Sequence, residues 1–386
     1  MTLPLVLVLG CVASAISYNQ RMLDPLTALI ARELLVDPGL VVMLSPAFSL
    51  PYALAQPLLG PLSDSIGKAA VIRTCAIVAA LATVVSYFIT SYEALFVLRM
   101  VTGVAAGGVL PVSLALIADR TPQDQRQVAL SRFMITIVLA QIFTSPLSAA
   151  IAQTYSWHAS LLVCIVLGIF GIGLMIWQIR PNPAAVRTPF SPRRVMETYR
   201  TIAGFRRARI CYAIVLVEGM MVFGFTPHVA LFLEGQKLGS VTEAGYVLGG
   251  MGIGGLLYGL TVSAIVRRFS LHTMMNAGGM LIATGFLTVI AASSWPVISL
   301  AYSFIGFGFY MLHSGIQTEV TEVYPPARGA VVSLHAFFLF LGMSSGPILV
   351  GLLSGPLGYR PILALCATGL CLGVFAATTL LGRLKT

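Results

Sequence analysis

Glu218 is the residue of this sequence best placed to carry a proton. It stands in the apolar run AIVLVEGMMVF, with no basic residue within a helical turn on either side. A carboxyl group stripped of water favours its neutral form, so a lone acid in such a run can load and release protons. Its competing role is a structural hydrogen bond to a neighbouring helix. Arg99 also lies about two turns into an apolar run. It stays charged at ordinary pH and needs an anion, a carboxylate or backbone carbonyls around it. It is expected at a cavity, in substrate or proton coupling, against the alternative of snorkelling to the outer interface. Asn19, Arg21 and Asp24 cluster near the end of the first apolar run. Arg21 and Asp24 are three apart and share a helical face, either as a substrate or outer-gate site or as a static pair. His228, His313 and His335 titrate near physiological pH, although a lone histidine in an apolar run is more often a satisfied hydrogen-bonding residue. They share no close motif, and no metal site is expected. The six cysteines match neither a disulfide framework nor a zinc pattern.

The elements that must hold these residues are membrane helices. The chain has 386 residues, 58% hydrophobic and only 9% charged. Soluble domains carry about 25% charged residues, so lipid must be the solvent for most of this surface. Backbone groups in lipid have to bond internally, and long continuous apolar runs select helices over a barrel. Twelve spans are expected, at 3–30, 40–60, 71–90, 93–117, 129–152, 159–179, 210–233, 243–266, 272–292, 296–318, 329–354 and 360–382. A signal peptide or a lipoprotein site at the N-terminus competes weakly, because no basic residue precedes the first run. With the N-terminus inside, eighteen of the 23 Lys and Arg fall in or beside cytoplasmic segments. That bias places both termini in the cytoplasm. It also makes the net charge of +10 a sign of topology, with anionic lipid as a secondary partner and no nucleic acid.

The chain reads as two copies. The loop GPLSDSIGKAAVIR, Gly60 to Arg73, has a weaker echo in GLTVSAIVRRF, Gly259 to Phe269. Gly60 aligns with Gly259, Asp64 with Ser263, Gly67 with Val266 and Lys68 with Arg267. Asp119 and Arg126, then Ser145-Pro146, recur as Glu322 and Arg328, then Gly346-Pro347. An internal duplication in a very apolar chain marks a transporter built from two repeats. The expected organisation is an N-terminal bundle at 1–180, a cytoplasmic linker at 181–209 and a C-terminal bundle at 210–386. Ser191-Pro192 starts an expected amphipathic helix in the linker, against the alternative of a solvated flexible segment. Lys68 is placed to pair with Asp119. Gly103-x-x-x-Gly107 and Gly342-x-x-x-Gly346 allow close helix contact. The glycine-rich run from Gly249 to Gly255 suits either gating motion or packing.

These motifs carry a resemblance to the major facilitator superfamily over essentially the whole chain. GPLSDSIGK resembles the family's loop motif G-x-L-x-D-x-x-G-R/K between helices 2 and 3. Arg99, Gly103 and Gly107 resemble R-x-x-x-G of helix 4. Ser145-Pro146-Leu147-Ser148-Ala149 stands where the antiporter motif G-P-x-x-G-G is expected, with Ser and Ala in place of Gly, while Gly342, Gly346 and Pro347 keep the small-residue pattern better. The resemblance implies an all-α membrane protein of twelve helices in two pseudo-symmetric six-helix bundles. It implies an inward gate built on Gly60, Asp64, Gly67 and Lys68, with Asp119, Arg126 and Arg267 around it. The Asp24-Pro25 region and the length look like bacterial drug and metabolite efflux proteins.

The expected function is proton-coupled efflux of a small organic molecule by a monomeric inner-membrane transporter. Candidate coupling or substrate residues are Asn19, Arg21, Asp24, Arg99, Glu218, His228 and His313. No cofactor is expected beyond the proton gradient. The alternative is uptake of a small metabolite or of an organic anion held by Arg21 and Arg99. A receptor on the same fold would lack the gating motif or add a long cytoplasmic domain. An enzyme is disfavoured, and no P-loop spacing for ATP appears.

Overall fold

The computed structural model describes residues 3–179 and 189–384. The expected linker residues 180–188, with Arg180, Arg187, Pro181 and Pro183, and the terminal Lys385 lie outside the described residues. Among the described residues, twelve helices are long and apolar enough to cross a membrane. In chain order the spans are Leu5–Leu34, Pro38–Ile66, Lys68–Tyr87, Tyr92–Arg120, Gln123–Thr154, Trp157–Gln178, Arg206–Gly235, Val241–Arg268, Leu271–Ala291, Trp295–Thr321, Pro325–Leu357 and Tyr359–Arg383. Most of their charges lie toward the ends, as the cost of a charge at mid-bilayer requires, with Arg21, Asp24, Arg99 and Glu218 as interior exceptions.

The first and seventh spans are broken at matching places. In the first, the helix Leu3–Arg21 gives way to a 3-10 turn at Asp24–Leu26 and resumes as Thr27–Leu34. In the seventh, Arg206–Gly224 gives way to Thr226–His228 and resumes as Val229–Gly235. Pro25 and Pro227 sit at the two breaks. Proline lacks an N–H and disfavours helix at the residue before it, so it ends one segment and starts the next. Both outer segments finish on a left-handed residue, Leu35 at φ 54° and Lys237 at φ 56°. These two are the only non-glycine residues of positive φ among the described residues. Sequence motifs suggested the duplication, and the backbone carries it at an offset near theirs, 202 residues between the two breaks.

Two seams join the bundles, one between spans 2 and 11, the other between spans 5 and 8. Along the first, Tyr52 stacks on Phe340 with ring centroids 4.0 Å apart. Along the second, glycines of span 8 meet the Ser145-Pro146 region. A Cβ on Gly245 would strike the Ser145 carbonyl and the Ala149 side chain, and one on Gly249 the Pro146 ring. On its other side, span 8 uses Gly250 and Gly254 to lie against the Ser299 and Ser303 carbonyls of span 10. The glycine run is therefore a packing surface with two faces, which supports the simpler of the two expectations. Within the bundles, Gly103 lies on the Phe48 carbonyl and Gly107 on Tyr52 and Ala55 of span 2. Gly342 and Gly346 lie on the Leu216 and Met220 carbonyls of span 7.

The expected linker helix forms at Pro192–Gly204, with the Ser191 hydroxyl accepting from the Arg194 amide. Ile202 is buried in the C-terminal core, and the Tyr199 hydroxyl donates to the Pro57 carbonyl at 2.8 Å. The helix thus touches both halves at the inner end of the span 2 and 11 seam.

Candidate functional site

The broken spans 1 and 7 face each other across the pseudo-symmetry axis. Arg32 binds Glu234 through one guanidinium nitrogen at 3.1 and 2.9 Å, joining positions 202 residues apart. At that same separation, the Arg21 guanidinium lies over the Phe223 ring, 4.1 Å from its centroid. Equivalent positions meet because a two-fold axis brings each repeat onto the other. The outer ends of the two halves are in contact here, with Ala28 of span 1 buried among C-terminal core residues.

Glu218 projects from span 7 and is fully buried. Its Oε2 lies 2.9 Å from Nδ1 of His313 on span 10. The other ring nitrogen of His313 lies 3.4 Å from Nε2 of His335 on span 11. The two imidazole centroids are 4.8 Å apart, and Phe309 stacks on His313 at 5.3 Å. Three ionisable groups from three helices thus form one chain. Each end has a spare atom, since Glu218 Oε1 and His335 Nδ1 are buried without a hydrogen-bond partner. The sequence reading found no basic residue within a helical turn of Glu218 and no close motif among the histidines, and so named no partner for either. The structure corrects both points. His313 is the neighbour of Glu218, and residues 95 apart in the chain meet because spans 7 and 10 pack together.

Arg99 is placed differently from the expectation as well. It is buried, so it does not snorkel to the interface. Its Nε donates to the Leu44 carbonyl, Nη1 to the carbonyl and side-chain oxygen of Asn19, and Nη2 to the Gln20 carbonyl. Phe48 covers its face at 4.7 Å. The break within span 1, after Arg21, helps to provide such acceptors, because carbonyls at a helix end lack intrahelical partners. Asn19 is committed too, donating to Thr83 at 2.9 Å. His228 lies 3.1 Å from the Pro347 carbonyl and 3.3 Å from the Tyr359 hydroxyl. These three residues tie helices together, and the geometry gives them no free edge for a ligand.

Where spans 2 and 3 join, Lys68 reaches Asp119 at 2.6 Å, as expected, and Asp64 at 3.2 Å. Gly67 links spans 2 and 3 at φ 104°, in open space, so its conformation is what requires glycine. Arg126 lines an open groove of about 520 Å³ on the inner half of span 5. Arg267 is exposed at the end of span 8 and forms no ion pair among the described residues. The C-terminal half holds its inner end by other means. Glu319, fully buried, is bound by Arg207 of span 7 and lies 3.2 Å from His272 of span 9. Sequence reasoning missed Glu319. An acid in the last turns of span 10, facing the Arg206-Arg207 pair at the start of span 7, was the available signal.

Twelve spans in two repeat-related halves, with paired charges at both ends and an ionisable chain between helices, are the architecture of a membrane transporter. The chain belongs to the Major Facilitator Superfamily, whose family model matches residues 9–347 and 235–385. It is similar to the MFS-type transporter YwfA of Bacillus subtilis, 21% identical over 97% of this chain and 92% of that protein. A bicyclomycin resistance protein homolog of Haemophilus influenzae is 25% identical over 78% of this chain and 70% of its own length. Multidrug resistance protein D of Escherichia coli is 25% identical over 57% of this chain and 55% of its own.

Proposed function

We propose that the protein is a proton-coupled exporter of a small organic molecule from the cytoplasm, working by alternating access in the inner membrane with both termini inside. The buried Glu218–His313–His335 chain is the observation that supports this reading. With Glu218 ionised, His313 donates from Nδ1 and accepts at Nε2 from His335. With Glu218 protonated, the carboxyl donates to Nδ1 and both imidazoles reverse their roles. A single proton thus redistributes the hydrogen bonds of three helices, which links protonation to the packing of spans 7, 10 and 11. The vacant Glu218 Oε1 and His335 Nδ1 leave each end able to exchange a proton.

The inward gate in this reading is the Lys68 bridge to Asp64 and Asp119, and its counterpart is Glu319 held by Arg207 and His272. The names of relatives that confer drug resistance favour export. Proteoliposomes containing the pH dye pyranine test the coupling. Addition of a transported drug or metabolite should move protons across the membrane in the opposite sense. Transport with no proton movement would contradict coupling.

A further inference from the structure

The substrate class can be argued from which charges a ligand is able to touch. Spans 1, 5, 7 and 10 meet around Arg21. Its guanidinium covers Phe223, which packs edge-on against Phe309 at 4.9 Å. Tyr310 and Tyr302 lie within electrostatic reach. The Tyr310 hydroxyl donates to Gln141 Oε1 at 2.7 Å, which leaves the Gln141 NH2 free to donate.

Charges in this region differ in access. The Arg21 side chain is 17% exposed and that of Asp24 only 3%. Asp24 forms a long ion pair with Arg21, at 3.5 Å through one guanidinium nitrogen. A guanidinium carries five N–H donors, and no hydrogen bond saturates those of Arg21 as carbonyls saturate those of Arg99. Glu218 has no exposure, whereas His313 beside it has 19%. The reachable polar edges are therefore a fixed cation and amide donors, while both acids are shielded. The apolar side chains beside them, Phe223, Phe309 and Tyr302, are aromatic and buried against the site.

We infer that this transporter carries a small organic anion, a carboxylate with an apolar or aromatic part, whose charge is bound by Arg21. The site rests on the transport reading above and names its ligand. Arg21 lies on the face between the two halves, so an anion there touches both repeats through Arg21 and the Phe223 side. Tyr310 and His313 are three apart on span 10 and share a face. The bound anion thus lies about one helical turn from the proton chain. The ring of Phe223 holds the guanidinium in place by a cation–π contact. Asp24 keeps the charge compensated while the site is empty.

Equilibrium binding separates this inference from proton coupling, since it needs no gradient. Purified protein at fixed pH is screened by thermal shift against hexanoate, benzoate and salicylate. Each is matched by its neutral amide, and benzylammonium serves as the cation. At least one carboxylate should stabilise the protein, with its amide at least about tenfold weaker, as loss of a charge-assisted contact predicts. Arg21→Gln should remove that preference and Arg21→Lys should keep part of it. Unfolding temperatures without ligand show whether each variant is folded, and Gln141→Ala supplies a second, milder test of the same edge. Equal shifts by carboxylate and amide, an unchanged preference in Arg21→Gln, or stabilisation by benzylammonium alone would overturn the inference. A failed pyranine experiment with intact carboxylate binding would instead count against coupling only.

Discussion

Two arginines of the N-terminal half, Arg99 buried and Arg21 partly exposed, illustrate how neighbours decide a residue's role. Arg99 is held by four oxygen acceptors from spans 1 and 2, while Arg21 faces the other half across Phe223. Arg99 therefore braces the bundle. Arg99→Lys keeps the charge and loses the planar fork, which should cost about 3 kcal/mol and lower the unfolding temperature in detergent. Unchanged stability with lost ligand binding would move Arg99 back to a substrate role. Sequence showed that both arginines were anomalous in lipid. It did not show which oxygens surround them, because three of the four acceptors of Arg99 are the backbone carbonyls of Leu44, Asn19 and Gln20, which any residue type supplies. The same limit hid the Glu218–His313–His335 chain, whose members lie on three separate spans.

At the level of elements, apolar length and motif spacing made all twelve spans legible, together with the linker helix and the Lys68–Asp119 pair. The breaks in spans 1 and 7 were less visible. Asp24-Pro25 stands out by its acid in an apolar run, whereas Thr226-Pro227 carries no charge to mark it. Span 8 shows how small residues set helix separation. A Cβ on Gly254 would collide with the Ser303 carbonyl of span 10. Gly254→Val should force these helices apart and cost about 3 kcal/mol, seen as a lower unfolding temperature. A variant as stable as the parent would mean that the two helices slide freely at this contact.

For the whole molecule, the 202-residue offset relates Arg32 to Glu234 and Arg21 to Phe223, so the contact between halves follows from the duplication itself. The Arg32–Glu234 pair is partly exposed, with side-chain accessibilities of 58% and 29%. Such pairs contribute no more than about 1 kcal/mol. Arg32→Glu should therefore raise outward opening up to about fivefold. Labelling of a cysteine placed at Ala28, in a cysteine-free background, by an impermeant thiol reagent reads this directly. The double exchange Arg32→Glu with Glu234→Arg should restore the parental rate. Equal labelling in all three proteins would exclude the pair as an outer latch.

The central claim is that protonation of the Glu218–His313–His335 chain drives the cycle. Glu218→Gln imitates the protonated carboxyl and cannot release a proton. Flux in proteoliposomes, with and without an imposed pH gradient, tests it most directly. The variant should still exchange internal for external substrate at a rate near the parent's, yet fail to concentrate substrate when the gradient is applied. Normal gradient-driven accumulation by Glu218→Gln would contradict the account and leave Glu218 with a structural role, with Asp24 the next acid to test.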